Sequence, residues 1–291
     1  MNARRHPGQH RHRAQQHGVT LVELVVVLTI IGLVVSIGAT LVGRVVGGQQ
    51  DNRGRLTLAM SADGALARIA DELTGALPNS LRVAAGSSNP AETWIEFVPV
   101  DDAGRYRAAP DTVSGTPGDV LDFEDASDNG FDVIGTPITH YSASSELVLR
   151  NLGPGSGADA YVGDNRRGGL VFASGGRHVA FTAAGAWPAS TGTQRFFIAA
   201  PPVSLACVAV GGGFELRRYS SYGWLAAQPT STAALAAATA TLLQGGLASC
   251  SASYSSALAN IGLLNLRLGL ADGSSTARME FMQQLAVDNT P

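Results

Sequence analysis

Residues 18–44 read GVTLVELVVVLTIIGLVVSIGATLVGR, with one acid, Glu23, at the head of the uncharged run Leu24–Gly43. In a helix rising about 1.5 Å per residue, a run of this length spans about 30 Å, the thickness of a bilayer's hydrocarbon core. Arg44 closes it. Upstream, Arg4, Arg5, Arg11 and Arg13 stand within the first eighteen residues, which hold none of the chain's 23 acids. A basic start stays cytoplasmic and sends the remainder across the membrane.

A secretory signal peptide shares the basic start, but its apolar part runs roughly 7–15 residues and ends at an A-x-A-like site. The run here is longer, and no such site follows it directly. A plain signal anchor fits the length yet leaves Glu23 unexplained. An ionised carboxylate that enters the bilayer costs on the order of a few kcal/mol, so it marks a functional position. Its natural partner is an amine. Cleavage after Gly18 would create one on Val19, largely charged at neutral pH. Residues four apart share a helix face, but that amine need not fold back and can serve Glu23 of a neighbouring helix.

Gly18-Val19-Thr20-Leu21-Val22-Glu23-Leu24 before a long apolar helix resembles the processing site of type IV prepilins and type II secretion pseudopilins. The resemblance implies a dedicated prepilin peptidase that cuts after Gly18 and methylates Val19. It also implies that Glu23 guides subunits into a filament. Val19 departs from the family's usual Phe or Met.

Beyond the run, no proline occurs between Pro7 and Pro78, so one helix from about Val19 to Leu77 is permitted. Leu58, Ala62, Leu66, Ile69, Leu73 and Leu77 recur every three or four residues, as on one face of an amphipathic helix. Arg55, Asp63, Arg68, Asp71 and Glu72 fall elsewhere, and Arg68 with Glu72 makes an i,i+4 pair of opposite charge. Gly32, Gly38, Gly43, Gly47 and Gly48 each weaken the helix by up to about 1 kcal/mol, which loosens it or lets it pack closely.

After Pro78 short runs separated by turns predict strands at Thr93–Val100, Glu146–Leu152, Gly169–Ala173, His178–Thr182 and Arg195–Ala199. Ser204–Val210 and Phe214–Tyr219 flank Gly211-Gly212-Gly213 as a hairpin. Leu263–Leu270 and Arg278–Val287 flank Asp272-Gly273-Ser274-Ser275 as another. Leu152–Gly169, rich in Gly, Asp and Asn, predicts an exposed loop, and Thr230–Ala248, rich in Ala and Thr, a short helix. The expected fold is α+β: a leader at 1–18, a membrane half of the helix at 19–47, an amphipathic half at 48–77 and a β-rich head at 78–291.

Further stretches narrow the resemblance. Glu72-Leu73, Ala76-Leu77-Pro78-Asn79-Ser80 and Trp94-Ile95-Glu96-Phe97-Val98-Pro99 resemble the MshO-type minor pilins of the mannose-sensitive haemagglutinin (MSHA) pilus. So do Pro202-Val203-Ser204, Leu216-Arg217-Arg218-Tyr219 and Ala286-Val287-Asp288-Asn289. The J-type pseudopilins of type II secretion are close relatives. The resemblance implies as partners the prepilin peptidase, an inner-membrane assembly platform, other minor pilins and the major pilin. It implies an inner-membrane protein with a periplasmic head, later placed in a filament.

Cys207 and Cys250 fall in the part expected in the periplasm, where disulfides persist. They read as a bridge, the alternative being two buried thiols. Zinc is disfavoured, since neither has a C-x-x-C partner or a nearby histidine. Asp119, Asp122, Glu124, Asp125, Asp128 and Asp132 invite a calcium reading. However, Thr136 stands where an EF-hand loop from Asp125 needs its bidentate glutamate, so they read as solvated loop acids. His140 and His178, the histidines left after cleavage, lack a G-x-S-x-G serine and read as ordinary residues. With no lysine in the chain, a P-loop is excluded. No catalytic residue, cofactor, metal or nucleic-acid surface is expected; a signal-anchored binding module is the rival of another class.

Overall fold

The structure, a computed structural model, describes residues 18–291 apart from 114, 189–191, 259 and 272–277, and leaves aside the side chains of 43–46, 50, 51, 257 and 258. The expected arginine-rich leader before Gly18 and the Asp272–Ser275 turn lie outside the described residues.

Helix α1 (Leu21–Thr74) is followed by β1 (Arg82–Ala85), β2 (Thr93–Phe97), β3 (Val100–Tyr106), β4 (Gly130–Ile134), β5 (Glu146–Val148), β6 (Arg166–Arg167) and β7 (Val171–Ala173). Then come β8 (His178–Ala180), β9 (Arg195–Ala199), β10 (Val203–Val210), β11 (Gly213–Ser220), β12 (Thr239–Leu258), β13 (Ile261–Ala271) and β14 (Arg278–Asp288). The helix is two residues shorter at its start than the sequence predicts and three shorter at its end. Thr20 caps the front. At the rear, Leu77 donates its N–H to the Val98 carbonyl and Ala76 bridges Pro99, which draws the chain into the sheet.

The chain divides into two compact units, Met1–Asn52 and Arg53–Pro291, with α1 belonging to both. In the first, the apolar side chains from Val19 to Val42 are exposed. Among the described residues α1 is the one helix long and apolar enough to cross a membrane.

In the second unit the strands form two antiparallel sheets, ordered β1-β2-β10-β11-β12-β13-β14 and β6-β5-β9-β3-β4-β8-β7. Ala62, Leu66, Ile69 and Leu73 of α1 are buried against Ile95, Phe97, Leu205, Leu264, Leu266 and Leu268 of the first sheet. Each full burial of a Leu or Ile contributes roughly 1.5–3 kcal/mol. Leu58 packs at the margin of this core, while Leu77, past the helix, enters a separate cluster with Val98, Val148 and Tyr161. The second sheet closes over Tyr106, Phe131, Phe196, Val179 and Phe181. On the far face of the first sheet Trp94 packs with Ala206, Tyr219 and Leu235.

Several predicted elements are corrected. The run Thr93–Val100 splits after Phe97, because Pro99 has no N–H for a ladder, and the chain there passes from one sheet to the other. The segment 200–202 makes the return crossing from β9 to β10, with Pro201 and Pro202. Leu152–Gly169 is not an exposed loop: Ala158, Asp159, Ala160, Tyr161, Asn165 and Arg167 are buried. Its backbone is satisfied by side chains, as where Asn151 Oδ1 accepts from the Ala160 N–H at 3.0 Å. Thr230–Ala248 is no helix; from Thr239 it forms the first half of β12, paired to β11. The ladder outweighs the weak preference of Ala and Thr, and a shift of register around Gln244, beside Gly245 and Gly246, bends the strand. In the first hairpin Gly211 and Gly212 turn the chain with φ of 60° and 85°, and Gly213 already belongs to β11. Strands β1, β3 and β4 had no clear alternating signal.

Candidate functional site

The N-terminal site begins with Gly18, Val19 and Thr20, exposed and ahead of the helix. Thr20 Oγ1 accepts the Glu23 N–H at 3.3 Å, and the Thr20 carbonyl accepts the Leu24 N–H at 3.1 Å. This is half of a Thr-x-x-Glu capping box, and it fixes the start of α1 at Leu21. Glu23 lies in the first helical turn, where the helix dipole favours negative charge. Thr20 was missed by the sequence reading, although its spacing to Glu23 is the capping-box spacing. A chain starting at Val19 would place its amine two residues outside the helix, on a short free arm. Gly32, Gly38, Gly47 and Gly48 have open space where a Cβ would stand.

Residues 13–39 match the family model of the prokaryotic N-terminal methylation motif. The chain carries a type IV pilin or pseudopilin signal. The match contains Gly18, Val19 and Glu23, and such a motif implies processing by a prepilin peptidase and assembly in a membrane system. No curated protein and no solved structure matches the chain.

Other candidates lie in the head. Cys207 on β10 and Cys250 on β12 are joined by a disulfide, with Cα atoms 5.6 Å apart and both residues buried in the core beneath α1. β10 and β12 flank β11 in the sheet, and the disulfide ties the second half of β12 to β10.

Glu72 is held more closely by Arg218 of β11, at 2.8 and 3.1 Å, than by Arg68 at 3.4 Å. The sequence suggested only the local partner; the distant one ties α1 to the sheet. Glu72-Leu73 and Leu216–Tyr219, far apart in the sequence, thus meet in space. A second meeting joins Ala76–Ser80 to Ala286–Asn289. Asn79 Nδ2 donates to the carbonyls of Asn151 and Asn289 at 2.9 and 3.1 Å. Asn289 Nδ2 donates to the Tyr254 hydroxyl at 2.9 Å, and Asn151 Nδ2 to the Pro78 carbonyl at 2.7 Å. A third stretch supplies Glu96, fully buried on β2, which accepts from Arg82 and from the Tyr222 hydroxyl. Burial pushes its carboxyl above the ordinary range, and Arg82 and Tyr222 only partly oppose this.

The acidic stretch is bound up in its own loop. Asp128 Oδ2 accepts the Asp122 N–H at 2.6 Å, and Asp125 Oδ1 accepts from Ser127. Glu124 donates its own N–H to Asp122. Asp132 departs from the loop reading: it lies on β4, 3.1 Å from His178 Nδ1 and 3.6 Å from Arg107 Nε. Burial pulls its pKa upward, but bonds from the Asp119 N–H and His178 and the charge of Arg107 leave it below the usual range. Asp119, 3.8 Å from the same imidazole, moves the other way, raised by burial and by the charges of Asp128 and Asp132 despite His178. His140 is exposed, 3.9 Å from Asp102. Among the described residues no group of three or more His, Cys, Asp or Glu is placed to hold a metal ion.

Proposed function

We propose that this chain is a minor pilin of an MSHA-type type IV pilus, a structural subunit and not an enzyme. A prepilin peptidase cleaves between Gly18 and Val19 and methylates Val19, leaving a membrane-anchored subunit with its head in the periplasm. The assembly platform then moves it into a filament beside other minor pilins and the major pilin. The matched methylation motif over residues 13–39, with Gly18 and Glu23 in place, carries this reading. The scattered stretches that resemble MshO-type proteins support the finer assignment, because they meet as packing partners: Glu72 with Arg218, Asn79 with Asn289. Val19 brings a positive amine and Glu23 a carboxylate, so docking of one spine against another neutralises both.

Intact-mass and N-terminal analysis of the membrane form, with and without the peptidase, tests the first step. The expected product begins at N-methyl-Val19; a mature form that keeps its arginine-rich head rejects the proposal. Glu23→Ala should be cleaved normally yet enter filaments at least about tenfold less, since an uncompensated amine then meets the apolar bundle. Recovery of the chain in secretion pseudopili rather than in pili would move it to the type II system.

A further inference from the structure

Strand β14 ends the first sheet, and among the described residues it is paired on one side only, with β13. It is eleven residues long, regular in register and free of proline. Proteins usually shorten, kink or charge such an edge, because its unpaired N–H and C=O groups recruit another strand. Here the charged side chains, Arg278, Glu280 and Asp288, stand near the two ends, and the middle is Phe281-Met282-Gln283-Gln284-Leu285.

The direction of each backbone group follows from the ladder. Asn289 donates its N–H to the Asn260 carbonyl at 2.9 Å, so this pair is a hydrogen-bonded one. Bonded and non-bonded pairs alternate along an antiparallel ladder. The odd-numbered residues of β14 therefore bond β13. The even-numbered ones, Arg278, Glu280, Met282, Gln284, Ala286 and Asp288, turn their N–H and C=O to the open edge.

We propose that this edge pairs antiparallel with β14 of a second copy of the chain, about a two-fold axis at Gln283. In that register Arg278 faces Asp288 of the other copy, and Asp288 faces its Arg278. Every outward N–H and C=O in the strand finds a partner. The core-side row also continues without a break: Met279 meets Val287 and Phe281 meets Leu285. The neighbouring registers that keep the faces matched are worse. One slip places Glu280 opposite Asp288, two like charges; the opposite slip leaves both ion pairs unmade. Opposed cross-strand charges stabilise and like charges destabilise such pairs, so the strand specifies its own alignment. A two-fold contact closes on itself. The dimer is therefore a form of the subunit outside the filament, and it hides the edge until assembly. Because none of this uses Gly18 or Glu23, it stands or falls separately from the proposed function.

The test is the mass of the purified full-length protein in detergent, by light scattering across a dilution series, with three charge variants. A dimer is expected for the unaltered chain. Arg278→Asp and Asp288→Arg should each raise its dissociation constant at least about tenfold, and the double variant Arg278→Asp/Asp288→Arg should restore it. Gln283→Cys should form an intermolecular disulfide under mild oxidation, its Cβ atoms lying about 4.5–5.5 Å apart, whereas Met279→Cys should not. Met282→Pro removes an outward N–H without touching the bonds to β13 and should also give monomers. A monomeric unaltered chain, single charge variants that dimerise normally, or crosslinking at Met279 instead of Gln283 would each overturn the proposal.

Discussion

Asp132 and Asp119 share one imidazole but lie on opposite sides of the ordinary carboxylate range, which makes them separable by pH. Asp132 is depressed, so its stabilisation is present above the unfolded value near 3.9 and lost as pH falls through the folded one. Asp132→Asn should therefore lower stability at pH 7, and that cost should disappear as the medium is acidified below about pH 4. Asp119 is raised, so ionising it disfavours the fold. Asp119→Asn should leave stability unchanged or slightly higher at pH 7, and make no difference below about pH 3.5. Both carboxylates are well solvated, so each effect should be under about 1 kcal/mol. Denaturant titrations of the two variants at several pH values measure this, and equal signs at pH 7 would contradict the assignment. Arg82 is the opposite case, a partner to a carboxylate with no solvent at all. Arg82→Met should cost about 3–5 kcal/mol by stranding Glu96. Much of that loss should return at low pH, where Glu96 takes up a proton.

At the scale of elements, α1 and the disulfide make the firmest predictions. Leu66→Ala should lower the stability of the head by about 2–5 kcal/mol, whereas Leu56→Ala, on an exposed position of the same helix, should change it little. Replacing Cys250 by Ala removes a link across a separation of 43 residues, worth roughly 4 kcal/mol on a chain-entropy estimate. Thermal melts of each variant read both effects. The spine was legible in sequence because a helix shows its buried stripe as a repeat: Ala62, Leu66, Ile69 and Leu73 announce it. The ladder β9, Arg195–Ala199, was equally plain, being a short apolar run with turns on either side. The bend of β12 was not, since it depends on Gly245 and Gly246 meeting a partner strand that no local pattern names. The buried segment around Tyr161 was hidden for a related reason. Its Gly, Asp and Asn content resembles a surface loop, while side chains meet its buried backbone, Asn151 Oδ1 accepting the Ala160 N–H and Asp159 Oδ1 the Tyr161 N–H. At the N-terminal site the basic head, the apolar run and the lone Glu23 were plain from charge and apolarity, and Gly18 stood out through its resemblance to prepilin processing sites; the Thr20 cap needed geometry.

For the whole molecule, the two sheets are joined through the crossings at Val98-Pro99 and Pro201-Pro202 and through aromatic contacts. Arg82 lies 3.6 Å from the centre of the Tyr161 ring, and Arg166 lies 4.0 Å from that of Trp224. The tie between Asn79 and Asn289 closes the head at the foot of the spine, and its two ends are 210 positions apart in the sequence. Contacts between such remote positions form late, because most of the chain must already be ordered before they can meet. The clasp is therefore the last fastening of the fold: a head that lacks its final strand has no Asn289 for Asn79 to hold, and the turn that follows the spine is left untied.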